Sequence, residues 1–203
     1  DLVPFAMDEM LNPTNWVETI DFTIIDPTNG DANIMEGGKG LLTWNGIKKP
    51  WYFAYLLISK LSGYILSQTS DHIVTKDGGR IIILAYNLCG YTKEQLKKIN
   101  DRHELDQIIN NTKSTRENVF QLKNIDGDYK VAEYSIDSNS CLFSRWSDLG
   151  FPNYFSEEEE SLLKIMCHPN VKMRRLTSRG RLDISSRIEG FGANCIILER
   201  IDK

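Results

Sequence analysis

From Gly63 onward, hydrophobic β-rich runs alternate with short turn-forming clusters, a pattern that predicts antiparallel strands. His72-Ile73-Val74-Thr75 and residues 80–86 flank Lys76-Asp77-Gly78-Gly79, so a first hairpin is expected there, with Asp77-Gly78 supplying the positive-φ residues. A second hairpin is predicted from residues 117–123 and 129–136, turning at Asp126-Gly127. Its return strand alternates Tyr129, Val131, Glu133 and Ser135 against Lys130, Ala132, Tyr134 and Ile136. A third hairpin pairs residues 171–176 with 181–184 around Ser178-Arg179-Gly180, and residues 194–201 form a last strand. Several short strands separated by turn signals make a β-sandwich. Two helices interrupt it. Thr92-Lys93-Glu94-Gln95 and Ser156-Glu157-Glu158-Glu159 are capping boxes, in which a hydroxyl and a carboxylate or amide satisfy the free N–H groups of a helix start.

Before Gly63 the pattern differs. Residues 1–11 mix polar and apolar positions and read as the end of a helix. Residues 19–25 are β-rich and stop at Asp26-Pro27, which predicts a strand; residues 28–33 are a polar loop. Residues 40–43 are short and apolar and follow glycines at 37, 38 and 40, as expected of a strand packed close to other backbone. Pro50 suits the first position of a helix. Residues 51–61 are apolar nearly all round, which predicts a largely buried helix. Strand, turn and helix in this order read as the last β/α unit of a barrel. The expected fold class is therefore α/β plus all-β: the last β/α units of a (β/α)8 barrel, then an antiparallel β-sandwich with two short helices. The expected division is residues 1–62 and 63–203.

Composition narrows the function. The chain has 203 residues, 41% of them hydrophobic, enough for a substantial core. A net charge of −4 and only short basic clusters, Lys97-Lys98 and Arg174-Arg175, argue against a nucleic-acid surface. No apolar run reaches the roughly 18 residues of a membrane span, and no signal peptide opens the chain. It starts on Asp1, which reads as a piece cut from a longer, cytoplasmic protein. Cys89, Cys141, Cys167 and Cys195 are far apart without CxxC spacing, so reduced thiols are expected and no zinc site.

Candidate chemistry is sparse. None of His72, His103 and His168 has a second ligand at helical spacing, and neither a metal nor a cofactor is expected. Glu157 to Glu160 sit where carboxylates favour a helix dipole. Gly37-Gly38-Lys39-Gly40 precedes a strand, whereas a phosphate cradle follows one. A glycosidase needs two carboxyl groups flanking one bond, placed in a barrel at the strand ends. Asp26 is one such acid, and Trp44 and Asn45 follow the next strand and could line the same mouth, which makes these three the candidate ligand-binding residues. No catalytic residue is assigned. A loop-initiating role for Asp26 before Pro27 is the simpler reading.

Three groups of motifs then carry a resemblance. They are Gly37-Gly38-Lys39-Gly40-Leu41-Leu42 through Gly46-Ile47-Lys48-Lys49-Pro50 and Tyr52-Phe53-Ala54-Tyr55; Asn118-Val119-Phe120 with Asp128-Tyr129-Lys130-Val131 and Tyr134-Ser135-Ile136-Asp137; and Trp146-Ser147-Asp148-Leu149-Gly150-Phe151-Pro152 with Ser156-Glu157-Glu158-Glu159. From about Thr19 to the C-terminus their order resembles the C-terminal part of glycoside hydrolase family 39 (β-xylosidase-like) proteins. That resemblance implies a barrel with a packed β-sandwich, and catalytic glutamates on earlier barrel strands outside this chain. The sequence departs from the family at Ile20-Asp21-Phe22-Thr23-Ile24-Ile25-Asp26-Pro27, which lacks the aromatic sugar platform and the Glu pair.

Leu84-Ala85-Tyr86-Asn87-Leu88-Cys89-Gly90-Tyr91 is more similar to family 39-like regions of AraC-type transcription regulators. The resemblance thus implies a non-catalytic sensory or scaffolding region of a regulator. Its partners would be a small carbohydrate or other effector and a second copy of the chain, with DNA contacted only through another domain and no membrane. The alternative is the trailing part of a β-xylosidase whose glutamates lie upstream. A third reading, a carbohydrate-binding sandwich, needs exposed coplanar aromatics; Trp146, Tyr154 and Phe155 are its candidates.

Overall fold

A computed structural model describes residues 2–12, 23–26, 40–112, 114–137 and 140–201. The predicted loop at 28–33, the first part of the strand at 19–25 and the glycines at 37 and 38 lie outside them. The element order is α1 (Val3–Leu11), β1 (Thr23–Ile25), β2 (Gly40–Leu42), α2 (Pro50–Ile58), β3 (Tyr64–Gln68), β4 (His72–Asp77), β5 (Arg80–Tyr86), α3 (Lys93–Leu96), α4 (Arg102–Asn111), β6 (Thr115–Ile136), α5 (Leu142–Asp148), α6 (Glu157–Met166), β7 (Asn170–Glu189) and β8 (Ala193–Arg200). β1 and β2 form a two-stranded parallel sheet, and the other strands form a six-stranded sheet in the order β3-β4-β5-β8-β6-β7. Every pairing in the larger sheet is antiparallel.

The first hairpin forms as expected, with one correction. Asp77 pairs with Arg80, so the loop is Gly78-Gly79, and the positive φ (54°) falls on Gly78. A two-residue hairpin loop matches the twist of its strands only with such a residue at its centre.

The second and third hairpins do not exist. β6 runs unbroken for 22 residues and β7 for 20, and they pair with each other from Thr115↔Glu189 to Ser135↔Asn170. The two turn signals face one another across this ladder: Gly127 lies opposite Ser178, and Ile125 opposite Gly180. Asn124 (φ 57°), Gly127 (φ 108°) and Gly180 (φ 83°) supply a register shift and a bend in place of reversals. A turn closes a hairpin only if its own flanks pair. Here each flank has a longer partner running past it, so the same residues kink a continuous strand.

The bend produces the layering. The second half of β6 pairs with β8 inside the sheet, while its first half packs Leu122 and Ile125 against Val74, Ile81, Ile83, Ile196 and Leu198. One bent sheet thus makes both layers of a sandwich. The opposite face packs Ile82, Leu84, Tyr86 and Cys195 against Ala6 and Met7 of α1, Phe53 and Leu57 of α2, and Leu142, Trp146 and Leu163. Alternation along β5 divides the cores: even positions meet the helices and odd positions meet the ribbon.

Both capping boxes are present, at Thr92/Gln95 and Ser156/Glu159. After residue 63 the described residues form four helices, not two. α4 has an Asp101 cap and no fully buried residue; its stripe of Leu105, Ile108 and Ile109 packs partly buried against the core. α5 starts without a side-chain cap at Cys141 and is held by burial of Leu142, Phe143 and Trp146. α2 begins at Pro50 as expected, but it ends at Ile58 and leaves Tyr55 half exposed.

A buried polar cluster ties α1 to the sheet. The Tyr86 hydroxyl lies 2.8 Å from Asp8 Oδ1 and 2.7 Å from Ser70 O, and accepts from Asn12 Nδ2 at 2.7 Å. Lys93 reaches the same cluster, 3.9 Å from Asp8, and donates to Asn12 O. Burial, and then the Asp8 carboxylate, raise the Tyr86 pKa far above its ordinary value, so the phenol stays neutral.

Candidate functional site

The predicted mouth residues lie around the parallel pair. Thr23↔Gly40 and Ile25↔Leu42 set its register. After β2 the chain turns through Thr43–Gly46 and returns beside β2: Thr43 N donates to Ile47 O (2.9 Å) and Lys49 N to Leu41 O (2.9 Å). Gly46, at φ 84°, makes that turn possible. α2 then starts at Pro50.

Asp26 is buried, with 7% of its surface exposed, and both carboxylate oxygens are engaged. Oδ1 accepts from Gly40 N at 2.6 Å, and Oδ2 meets Lys49 Nζ at 2.8 Å. Its backbone N–H donates to Leu42 O. A Cβ on Gly40 would fall 2.5 Å from Asp26 Oδ1 and 2.6 Å from its nitrogen, so the close approach requires glycine. Asp26 therefore clamps β1, β2 and the lead into α2. A carboxylate held by a lysine and an amide is poorly placed to take or give a proton to a substrate.

Trp44 and Asn45 stand on the turn beyond. Trp44 is 42% exposed. Asn45 Oδ1 accepts from Thr43 Oγ1, and its Nδ2 is buried without a partner. The arrangement can offer an aromatic surface and an amide donor to a ligand. At the described ends of β1 and β2 it offers a single carboxylate, and that one is engaged. Lys49, the partner of Asp26, lies in a motif of the resemblance but carries no signal of this contact. A lysine before a helix-opening proline reads as surface until the fold brings it against the strand end.

The other candidates resolve as structural groups. Trp146 and Phe155 are buried, and only Tyr154 is exposed, so the three make no sugar platform. Trp146 packs edge-on against Phe151 at 4.8 Å and donates Nε1–H to Pro152 O. All four cysteines are free thiols. Burial raises their pKa, to about 11 for Cys89 and Cys167 and about 12 for Cys195, which keeps them protonated and unreactive. His103 packs edge-on against Phe151, and His168 Nδ1 lies 2.9 Å from Pro169 O in a loop. His72 Nδ1 lies near Asp71 and Thr69, and burial lowers its pKa. Among the described residues no three His, Cys, Asp or Glu side chains gather as a metal cage. No described helix is long and apolar enough to cross a membrane.

The fold matches known structures. A GH39 (glycoside hydrolase family 39) enzyme from Xanthomonas axonopodis pv. citri superposes with a TM-score of 0.78 at 17% identity, over 98% of this chain and 40% of that one. A monomeric β-xylosidase from Caulobacter crescentus CB15 superposes at 0.72 and 20% identity, over 98% of this chain and 42% of that one. A bacterial orthologue of human α-L-iduronidase reaches 0.54 at 14% identity, over 76% of this chain and 28% of that one. Neither a protein-family model nor a curated protein sequence matches the chain significantly.

At these identities the likeness is one of fold. The chain has the fold of about two-fifths of a GH39 enzyme, and its bent six-stranded sheet corresponds to the β-sandwich of those proteins.

Proposed function

We propose that this chain is the C-terminal portion of a GH39-like protein and serves it as a non-catalytic scaffold. In this reading the β1–β2 pair and α2 complete a (β/α)8 barrel, and residues from about 63 onward form the sandwich that buttresses it. The observation that carries the proposal is Asp26, the strand-end acid, bound on one oxygen by Gly40 N–H and on the other by Lys49. The two carboxylates of a glycosidase, about 5–9 Å apart, would then come from the rest of the parent. Trp44 and Asn45 would border the mouth.

Likeness to β-xylosidase chains favours a glycosidase parent. The regulator reading rests on residues 84–91 and on the departure at residues 20–27, and the first of these are occupied structurally: Leu84, Ala85 and Tyr86 are core residues of β5, and Asn87 Oδ1 accepts from Cys89 N. The test is turnover of an aryl β-xyloside by this chain and by the parent carrying its upstream region. The parent is expected to hydrolyse it and this chain to be inert. Asp26→Asn in the parent should leave kcat within about twofold once its folded fraction is matched. Turnover by the chain alone, or a folded but inactive Asp26→Asn parent, would overturn the scaffold reading. A parent that is inert but binds DNA would restore the regulator.

A further inference from the structure

The ribbon side of the six-stranded sheet holds a cavity of about 670 Å³, away from the barrel-mouth residues and independent of their assignment. It lies between β3–β5 and the first half of β6. Its apolar lining comes from Tyr64 and Leu66 on β3, Val74 and Ile81 on the next two strands, and Phe120 and Leu122 on the overlying ribbon. Its size falls within the range of about 300–1,000 Å³ typical of small-molecule sites.

The polar lining is one-sided. Lys76 and Lys123 contribute to the wall and no carboxylate does, although the chain as a whole is acidic. Lys76 stands opposite Tyr64 in the β3–β4 register, with Val74 two residues back on the same face. Neither lysine has an ion-pair partner among the described residues. Asn118 adds a buried Nδ2 with no hydrogen-bond partner. A buried donor without an acceptor is costly, and a ligand oxygen would relieve that cost. Asp71, the acid beside His72, is already paired with Arg116 and does not line the cavity. Tyr64 and Leu66 remain 58% and 48% exposed, an apolar wall on an otherwise solvated edge strand.

We propose that this cavity binds a small amphiphilic carboxylate. Its apolar body lies between Phe120 and the Leu66–Val74 wall, its carboxylate meets Lys76, and Asn118 donates to a carboxylate or hydroxyl oxygen. Lys123 adds positive potential at the mouth.

The test is calorimetric titration of the whole 203-residue chain with 4-phenylbutyrate and with its neutral amide, 4-phenylbutyramide. The acid should bind at least about tenfold more tightly than the amide, a difference worth about 1.4 kcal/mol. Lys76→Gln should remove that preference, and Lys98→Gln, on an exposed surface outside the cavity, should keep it. Equal affinity for acid and amide overturns the proposal using the unaltered protein, whatever happens to the variants. So does a folded Lys76→Gln chain that binds the acid as before. An absence of acid binding at millimolar concentration also overturns it.

Discussion

The six-stranded sheet and the parallel β1–β2 pair are built from similar apolar residues and held in opposite ways. In the larger sheet β6 pairs with β7 along its whole length and with β8 along its second half, while Leu84 and Ile196 are fully buried. In the smaller one, among the described residues, each strand has three residues and one strand partner, and Ile24 and Ile25 are 71% and 51% exposed. The larger sheet satisfies its backbone by strand pairing and its side chains by packing on both faces. Among the described residues the pair is held by the Asp26–Lys49 contact and leaves apolar surface open. The difference teaches that similar apolar residues are held by long-range pairing and packing in one region and by a local charged contact in the other.

The largest expected effect tests whether the two regions are coupled. Leu84 lies in the core shared with α1 and α2, so Leu84→Ala should cost about 3 kcal/mol in urea unfolding. Amide exchange should then accelerate in β5 and α2 together. Acceleration confined to the sheet would mean that the two regions are uncoupled.

Asp26→Asn comes next, at about 2 kcal/mol, because it leaves Lys49 facing a neutral amide in a buried setting. Its effect should be local. Asp26 and Lys49 amides should exchange faster while those of β5 and β8 stay protected. Equal acceleration everywhere would show that the clamp holds the whole molecule.

Gly127→Ala should cost about 1 kcal/mol, since alanine adopts φ near 108° only with strain and its Cβ would approach Arg200 Nε at 3.4 Å. A neutral or stabilising result would mean that the ribbon does not need this bend.

The smallest effect is a pH slope. Burial lowers the His72 pKa below its ordinary 6.5, so the unfolded chain takes up the proton first. Stability should fall as pH drops from about 6.5 through the folded-state pKa, and level off below it. His72→Gln should flatten that part of the profile; an unchanged slope would assign it to other groups.

Local signals in the sequence identify the elements whose ends are set by neighbours in the chain. Pro50 opens α2, Thr92 and Ser156 cap their helices, and Gly40 marks a strand pressed against backbone, because proline geometry, capping hydrogen bonds and glycine's missing Cβ act over a few residues. Cys195 in an apolar run is likewise a core residue. Among the site candidates, Asp26 is legible as a strand-end acid, but its partner Lys49 is not, because their meeting depends on the return of the chain beside β2.

Partner choice is what the tertiary structure decided. Asp126-Gly127 and Ser178-Arg179-Gly180 carry the residues of turns, yet they face each other in two long strands. A positive-φ residue permits a reversal or a bulge equally well, and only the strand alongside selects between them. The same holds for β3 and α5, which have weak local patterns and are held by the sheet and its core. The sequence by itself determined helix starts, buried runs and sites of backbone freedom. The fold determined which strand each run pairs with, and so where Asp26, Lys76 and Asn118 come to lie, because those placements rest on contacts between residues far apart in the chain.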